Sequence, residues 1–320
     1  MSKPVLFLLG PSASGKTELS LLLARRLNCE IVSADSMLVY RGMDIGTAKP
    51  GRAQQKKVRH HLIDIVPPRK NFSVYEHRKY ALEKIQDILN RGKIPLIVGA
   101  SGLYVEALWK GLSDHPGKNS KLRQKLIRHA REEGIAALYA KLEAKDPARA
   151  GQIHPHDEKR VVRALEIAAS GKNTSAWHQK RESLEDLGYS VFAVALERDR
   201  ADLYGRIDHR VEQMFKRGLL REVERLRKTG FSKTARQALG YREILKFYPL
   251  TQTLSPKGRG KGEGQDIIRL IQKHTRQFAK RQLTWLRREK EIRWIPWPRG
   301  ESAESVCDKI IKEFKRKKVS

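Results

Sequence analysis

Residues 5–17 read Val5-Leu-Phe-Leu-Leu9-Gly10-Pro-Ser-Ala-Ser-Gly15-Lys16-Thr17, and this stretch decides the fold. Its first five residues form a short, continuous apolar run, which is typical of a buried parallel strand. The next eight match the pattern G-x-x-x-x-G-K-[ST], and leucines then recur at helical spacing from Glu18 to Leu27. A strand, a glycine-containing loop and a helix in this order predict a phosphate-binding loop of the P-loop type.

Such a loop binds phosphate oxygens through its backbone N–H groups and through the N-terminus of the following helix. The Lys16 ammonium can reach a terminal phosphate, and the Thr17 hydroxyl can hold Mg²⁺, the cofactor that this arrangement predicts. We expect a diphosphate or nucleotide to bind at Gly10, Pro11, Ser12, Ala13, Ser14, Gly15, Lys16 and Thr17.

A carboxylate follows one of the later strands. A P-loop ATPase normally places an acidic residue at the end of a second apolar strand. The strand predicted over Ile94–Val98 leads into Gly99-Ala-Ser101-Gly102 instead, whereas the strand predicted over Ile31–Ala34 leads into Asp35. Open α/β sheets bind ligands at the carboxyl ends of their strands, so Asp35 is a candidate Mg²⁺ ligand or general base. A helix cap or a turn is the other interpretation of this aspartate.

The pattern of elements predicts one α/β domain with an insertion. Residues from Lys118 to Gly188 show helical periodicity, and Val191–Leu196 returns to a strand pattern. We therefore predict an α/β fold with a P-loop NTPase-like core, its mostly parallel sheet flanked by helices, over residues 1–117 and 189–320. An all-helical domain is inserted over residues 118–188. In the last third we predict helices over Ile207–Thr229 and Gln265–Arg288, with a loop over 251–264 between them.

Composition excludes several classes of protein. The chain of 320 residues is 39% hydrophobic and 32% charged, which suits a globular protein. Its two cysteines, Cys29 and Cys307, cannot build a disulfide framework or a four-ligand zinc site. No apolar run approaches the roughly 20 residues of a membrane span. We expect a cytoplasmic protein without a membrane partner.

The charge indicates a polyanionic partner. The formal net charge is +30, and residues 189–320 supply +17 of it. Neutralising phosphates releases counterions, so this excess favours binding of nucleic acid. From Lys273 to Trp294 the basic residues are interspersed with three aromatic ones, Phe278, Trp285 and Trp294. This pattern suits contacts with phosphates and stacking on bases, and equally suits core aromatics beneath a solvated basic face.

The chain resembles the tRNA dimethylallyltransferases (tRNA isopentenyltransferases) over nearly its whole length. The phosphate loop is the first motif of this resemblance. The other motifs are Asp35-Ser36-Met-Leu-Val-Tyr40-Arg41-Gly42-Met-Asp44-Ile-Gly46-Thr47-Ala48-Lys49-Pro50, His61-Leu-Ile-Asp64-Ile, Gly99-Ala-Ser101-Gly102-Leu-Tyr104, Ile153-His154-Pro155-His156-Asp157-Glu-Lys-Arg160-Val-Val-Arg163-Ala-Leu-Glu166, Gln213-Met214-Phe215, Gly240-Tyr241-Arg242 and Ala279-Lys280-Arg281-Gln282-Leu-Thr284-Trp285-Leu-Arg287.

The resemblance implies transfer of a dimethylallyl group from dimethylallyl diphosphate to N6 of the adenosine immediately 3′ of the anticodon. It implies that Asp35 removes the proton from N6, that Ser101 meets the adenine and that Arg210 holds the diphosphate. The partners would be the tRNA anticodon stem-loop and the allylic diphosphate, bound by a monomer. The residues that would contact tRNA are Asp35, Ser36, Met37, Leu38, Ser101, Arg123, Lys159, Arg160, Val161, Val162, Arg163, Gln237, Gly240, Tyr241, Arg242, Lys280, Arg281, Gln282, Trp285 and Arg287.

The chain departs from the family pattern at three positions among or next to these residues. Ala100-Ser101 stands where Gly-Thr is usual, and Ser101 keeps the hydroxyl; Leu38 stands where many relatives carry Gln. Two other functions fit the phosphate loop. A small-molecule or nucleotide kinase would use the same loop for ATP, and an RNA-binding protein could retain the loop without catalysis.

Overall fold

The computed structural model describes residues 3–112, 119–170, 181–248 and 261–319. The chain divides into two compact units, an α/β unit of Met1–Trp109 with Leu184–Ser320 and a helical unit of Lys110–Ser183. These boundaries differ from the predicted 118 and 188. Leu184 already belongs to the buried core of the α/β unit, and its N–H donates to the Trp109 carbonyl at 2.8 Å. The chain therefore rejoins the sheet earlier than the strand pattern indicates.

The described residues contain six strands in one parallel sheet, in the order β3-β2-β4-β1-β5-β6. This confirms the predicted α/β class. Their bounds are β1 Lys3–Leu9, β2 Cys29–Ala34, β3 His60–His61, β4 Ile94–Gly99, β5 Tyr189–Glu197 and β6 Arg293–Pro296. Strands β3 and β6 were not predicted, because a two-residue and a four-residue strand are too short to show periodicity.

Helices surround and follow the sheet. In the α/β unit they are α1 Lys16–Arg26, α2 Arg52–Lys57, α3 Val74–Asn90 and α4 Gly102–Trp109 before the insertion. The helical unit holds α5 Ser120–Glu132, α6 Ile135–Lys145, α7 Pro147–Ala150 and α8 Glu158–Ala168. After the insertion come α9 Arg200–Lys216, α10 Leu219–Thr229, α11 Tyr241–Phe247, α12 Lys261–Leu286 and α13 Ala303–Val319.

Two of these helices differ from the prediction. The expected single helix over 207–229 is two helices, because Gly218 adopts φ +93° between α9 and α10, a conformation that an α-helix cannot continue. Helix α12 begins at Lys261, so Gly262 and Gly264 belong to a helix and not to the expected loop. The rest of that loop, 251–260, lies outside the described residues.

The alternation of side chains along β1 builds a core on each face of the sheet. Val5, Phe7 and Leu9 lie in one buried cluster, with α3 and α4, while Leu6 and Leu8 lie in another, with α1 and α13. A strand buried on both faces is apolar at every position, which explains the continuous run in the sequence. No helix in the described part of the chain is both long and apolar enough to cross a membrane.

The register of the strands sets the position of the site. Leu9 pairs with Gly99 and with Ala195, and Ala34 pairs with Gly99. Strands β1, β2, β4 and β5 therefore reach the same level at one edge of the sheet. The phosphate loop, Asp35 and Ser101 follow three of these strand ends directly, so the fold brings them together although they are far apart in sequence.

Candidate functional site at the carboxyl edge of the sheet

The phosphate loop adopts backbone conformations that favour glycine at two positions. Gly10 has φ +149° and Gly15 has φ +100°. A Cβ atom on Gly10 would lie 2.8 Å from the Ser14 hydroxyl, and one on Gly15 would lie 2.7 Å from the Trp297 ring. The two glycines of the motif are thus required by both backbone geometry and space.

Lys16 closes the loop. Its Nζ donates to the carbonyls of Gly10 and Pro11, both at 2.7 Å. Burial and, to a smaller extent, the nearby Arg210 together lower the pKa of Lys16 to about 7, while Asp35 acts in the opposite direction. A nearby anion favours the charged ammonium form of lysine. A bound phosphate would therefore raise the pKa of Lys16 and keep its side chain protonated.

Three side chains that sequence reasoning did not assign to this role hold the loop from outside. Arg198 Nε donates to the Ser14 carbonyl at 2.8 Å, and Arg206 Nε donates to the Ala13 carbonyl at 3.0 Å. The Ser12 N–H donates to Gln282 Oε1 at 2.9 Å. All three contacts join distant parts of the chain, so no local pattern could have indicated them.

Asp35 organises the turn that follows β2. Its Oδ1 accepts hydrogen bonds from the N–H groups of Met37, at 2.8 Å, and Leu38, at 3.3 Å. The Ser101 hydroxyl accepts from the Ser36 N–H at 3.2 Å, which joins this turn to the end of β4. Asp35 is therefore a turn residue, as the second interpretation proposed, and within the described residues its Oδ2 carries no further hydrogen bond.

Two cavities adjoin at this turn. The first, of about 510 Å³, lies over the phosphate loop and extends past Thr17, Ser33 and Val98. The second, of about 290 Å³, is lined by Ser101 and by residues from the α11 region and α12. The residues that line both cavities are Ser12, Ala13, Asp35, Thr47 and Arg210. The candidate base and the candidate diphosphate ligand thus lie where the two cavities adjoin.

Arg210 is held at this junction from α9. Its Nη2 lies 3.4 Å from the Thr47 carbonyl, and burial lowers its pKa while Asp35 opposes that effect. A guanidinium remains charged even when its pKa falls, so Arg210 keeps a positive charge beside the Asp35 carboxylate.

The first cavity suits a phosphate and a hard cation. The hydroxyls of Ser14 and Ser33 are buried in its wall and have no hydrogen-bond partner among the described atoms. Buried hydroxyls are normally paired, so these two are available to a ligand. Thr17 and Asp35 add oxygen donors of the kind that Mg²⁺ prefers. No group of three or more His, Cys, Asp or Glu in the described residues could hold a metal alone.

A buried carboxylate that the sequence analysis missed shapes the wall next to Thr47. Glu222 accepts hydrogen bonds from the N–H groups of Asp44, Ile45 and Gly46 at 2.9–3.2 Å, and from the Tyr241 hydroxyl. Burial and the neighbouring Glu222 raise the pKa of Tyr241. A Cβ atom on Gly46 would lie 2.4 Å from the Tyr241 ring, which explains the glycine in this motif.

The predicted tRNA residues occupy three kinds of position. The exposed ones are Lys159, Arg160, Gln237, Lys280, Arg281 and Arg287. The half-buried ones are Asp35, Ser36, Met37, Leu38, Ser101, Arg123, Arg163, Arg242 and Trp285. The buried ones are Val161, Val162, Gly240, Tyr241 and Gln282, whose side chains, where present, are used in packing or in hydrogen bonds to protein. For these five the predicted contact with tRNA stays a prediction, and it would have to involve backbone atoms, because their side chains are buried or, at Gly240, absent.

Some predicted contacts are already paired within the protein. Arg123 Nη2 lies 2.7 Å from Glu166 Oε2, inside the helical unit. The Trp285 ring packs on Gly102, where a Cβ would lie 3.0 Å from the indole. Trp285 is thus a partly buried aromatic beneath a basic helix face. His61, which begins another of the family motifs, is hydrogen-bonded to the buried Glu30 at 2.7 Å.

Comparison with known proteins gives one consistent result. Residues 38–289 match the family model described as IPP transferase. The chain is 39% identical to the tRNA dimethylallyltransferase 2 of Geotalea uraniireducens over 97% of both chains. The structure is similar to the tRNA isopentenylpyrophosphate transferase of Bacillus halodurans, with TM-score 0.70 and 34% identity over 99% of this chain and 98% of that one. It is also similar to a eukaryotic dimethylallyltransferase acting on tRNA, with TM-score 0.73 and 27% identity over 92% of this chain and 74% of that one.

Proposed function

We propose that this chain, which belongs to the IPP transferase family, transfers a dimethylallyl group from dimethylallyl diphosphate to N6 of the adenosine immediately 3′ of the tRNA anticodon. One observation carries this proposal. A phosphate-binding cavity and a second cavity adjoin at one carboxylate, Asp35, and one guanidinium, Arg210. A base between a diphosphate site and a nucleoside site is the arrangement that this transfer needs.

In the proposed reaction N6 of the adenosine attacks C1 of the allylic group. The C1–O bond breaks, and its electron pair leaves with the diphosphate. The N6 lone pair is delocalised into the ring, so a proton must leave N6 as the new bond forms, and Asp35 accepts it. Lys16, Arg210 and the backbone N–H groups of the loop stabilise the charge that accumulates on the diphosphate oxygens.

Mg²⁺ would bind beside Thr17, with Asp35 close by and with diphosphate oxygens completing its coordination. This cation usually takes one or two protein oxygens together with substrate phosphates, which agrees with the small number of protein donors here. When bound, it neutralises charge on the leaving diphosphate.

The acceptor is proposed to enter through the second cavity, which Ser101, Arg242 and Arg281 line. An adenine cannot reach Asp35 while it is stacked in a helix or loop, so the nucleotide must be flipped out. The exposed Lys280 and Arg287 on α12 and just beyond it, with Lys159 and Arg160 of the helical unit, would neutralise tRNA phosphates.

The alternative function, a P-loop small-molecule or nucleotide kinase, is not favoured. The relatives are named as transferases that act on tRNA. Among the described strands that end at this edge, β2 is directly followed by a carboxylate, Asp35. This carboxylate lines the second cavity as well as the cavity over the phosphate loop, a position that suits a base for a second substrate.

The decisive experiment incubates the purified protein with unmodified tRNA, dimethylallyl diphosphate and Mg²⁺, then digests the tRNA for nucleoside mass analysis. We expect adenosine to gain one dimethylallyl group at the position next to the anticodon. A parallel incubation with ATP and no allylic donor distinguishes the kinase. Phosphate transfer from ATP without any prenylated adenosine would refute the proposal.

A further inference from the structure

A buried carboxylate lies behind the wall of the second cavity. Glu243 is the third residue of α11 and is 2% exposed. Its Oε2 accepts from the Gly240 N–H at 2.8 Å, and its Oε1 accepts from His274 Nδ1 on α12 at 2.9 Å. Its Oε1 also accepts from Arg242 Nε at 2.9 Å and from Arg242 Nη2. One carboxylate thus joins a turn, an arginine and a second helix.

Each of these partners belongs to, or adjoins, the surface that would receive the acceptor. Gly240 and Arg242 line the second cavity, and so does Thr275, the neighbour of His274. Glu243 itself does not line it. Glu243 therefore influences the shape of the cavity indirectly, by positioning Gly240, Arg242 and His274.

The contact with Arg242 is the specific part of this arrangement. A guanidinium has five N–H donors, and Glu243 occupies the Nε–H and one Nη2–H. The three that remain are donors only, so their partner must be an acceptor such as a phosphate oxygen or an acceptor atom on a base edge. A carboxylate that accepts hydrogen bonds from both Nε and Nη2 fixes the plane of the guanidinium and the direction of the three remaining N–H donors.

We propose that Glu243 is a positioning residue for the RNA acceptor: it holds the Arg242 guanidinium in the orientation that binds an acceptor group of the flipped nucleotide or its phosphate. This rests on the proposed function. A free arginine side chain would lose rotamer entropy on binding, and Glu243 removes that loss before the RNA arrives. The carboxylate has no contact with the phosphate loop among the described residues, so the effect concerns the acceptor and not the allylic donor.

The test is Glu243→Gln, which keeps an amide oxygen for the Gly240 N–H but replaces an acceptor with an N–H₂ group on the side of Arg242. We expect KM for tRNA to rise about tenfold, the scale of coupling between residues in contact. KM for dimethylallyl diphosphate and kcat should remain within about twofold. The double variant with Arg242→Gln should be no worse than Arg242→Gln alone, because both changes remove the same contact.

The chain offers a matched control. Glu30 is also 2% exposed and also pairs with an arginine and a histidine, Arg91 and His61, but it lines neither cavity. Glu30→Gln should lower the melting temperature and leave both KM values unchanged. A rise in KM for tRNA of similar size in Glu30→Gln would show that loss of stability explains both effects, and would overturn the proposal.

If Glu243→Gln fails to fold, Arg242→Lys answers the same question with the carboxylate intact. Lysine cannot make the two-point contact, so the same rise in KM for tRNA is expected. A folded variant of either kind with the KM of the wild-type protein would overturn the proposal. Failure of the proposed function gives a different result, because the wild-type protein itself would then form no prenylated adenosine.

Discussion

The two oxygens of Asp35 serve different purposes. Oδ1 holds the turn after β2 through the N–H groups of Met37 and Leu38. Within the described residues Oδ2 makes no hydrogen bond, and Asp35 borders both cavities. The turn and the proposed proton transfer to Asp35 therefore do not compete for the same lone pairs.

Asp35→Asn separates these two purposes. The amide oxygen can replace Oδ1 in the turn, but the side chain can no longer accept a proton. We expect single-turnover transfer to slow by about 10²–10⁴-fold, the usual contribution of a general base. The melting temperature and tRNA binding should remain near those of the wild-type protein. The exposed Asp308, which pairs with Arg26 at the surface, supplies the control variant Asp308→Asn. Undiminished transfer in Asp35→Asn would exclude the assignment of this base.

We expect Lys16 to make binding of the proposed allylic donor depend on pH. Its pKa of about 7 in the free protein means that it loses its charge as the pH rises above neutrality. A bound diphosphate favours the charged form, so binding above pH 7 requires proton uptake. Affinity for dimethylallyl diphosphate should fall by up to about tenfold per pH unit from pH 7.5 to 9. Phosphate ionisation is already complete there, since its second pKa is about 6.

Calorimetric titrations across this pH range measure the effect, with the protonation heats of two buffers reporting the proton uptake. Lys16→Met should bind the donor weakly at every pH, with a flat profile over the same range. A pH dependence that persists unchanged in Lys16→Met would assign the titration to another group.

At the scale of elements, close approach of β2 and β4 holds Asp35 and Ser101 together. A Cβ atom on Gly99 would lie 2.3 Å from the Ala34 carbonyl oxygen, which is part of the sheet and cannot move aside. Gly99→Ala should therefore lower the free energy of unfolding by about 1–3 kcal/mol, the range for overpacking. Because the displaced strand end carries Asp35, transfer should slow as well.

Chemical denaturation of Gly99→Ala and Gly205→Ala provides the comparison. Gly205 lies within α9, and an added Cβ there meets nothing within 4 Å. The alanine should stabilise that helix by up to about 1 kcal/mol. Equal destabilisation at the two positions would contradict the steric argument.

Local sequence patterns predicted the strands and the loop that position the site. They did not reveal the side chains that act through contacts between distant parts of the chain. The phosphate loop and the strand before Asp35 were evident because each is a contiguous run. Glu222 reaches Asp44 across 178 positions, and Gln282 reaches Ser12 across 270, so only the fold reveals their roles. The break at Gly218 was missed because a single glycine also occurs within helices, as Gly205 does in α9.

At the scale of the whole molecule, the two residues of the α/β unit that flank the insertion, Trp109 and Leu184, are in contact. The Leu184 N–H and the Trp109 carbonyl are 2.8 Å apart, and the helical unit has a core of its own around Leu138, Leu142 and Val161. Replacing residues 110–183 with a short Gly-Ser linker should leave an α/β unit that melts cooperatively and binds dimethylallyl diphosphate. Its affinity for tRNA should fall, because Lys159, Arg160 and Arg163 are removed with the insert.

Thermal melting and separate titrations with donor and tRNA measure these outcomes. A shortened protein that does not fold would show that the α/β unit depends on the insert. One that binds tRNA as tightly as the full chain would remove the helical unit from the RNA-binding surface. In that event the formal net charge of +17 on residues 189–320 would be sufficient to account for tRNA binding.

Gln282 joins the phosphate loop to the end of β4 through a single amide. It accepts from the Ser12 N–H in the phosphate loop, and its Nε2 donates to the Ala100 carbonyl, next to Ser101. Its neighbours Lys280 and Arg281 are exposed on α12. In the proposed function, a shift of α12 on binding RNA would be transmitted through this side chain to the diphosphate site. Thermodynamic linkage then requires reciprocity: whatever factor the donor applies to the affinity for tRNA, the tRNA must apply to the affinity for the donor.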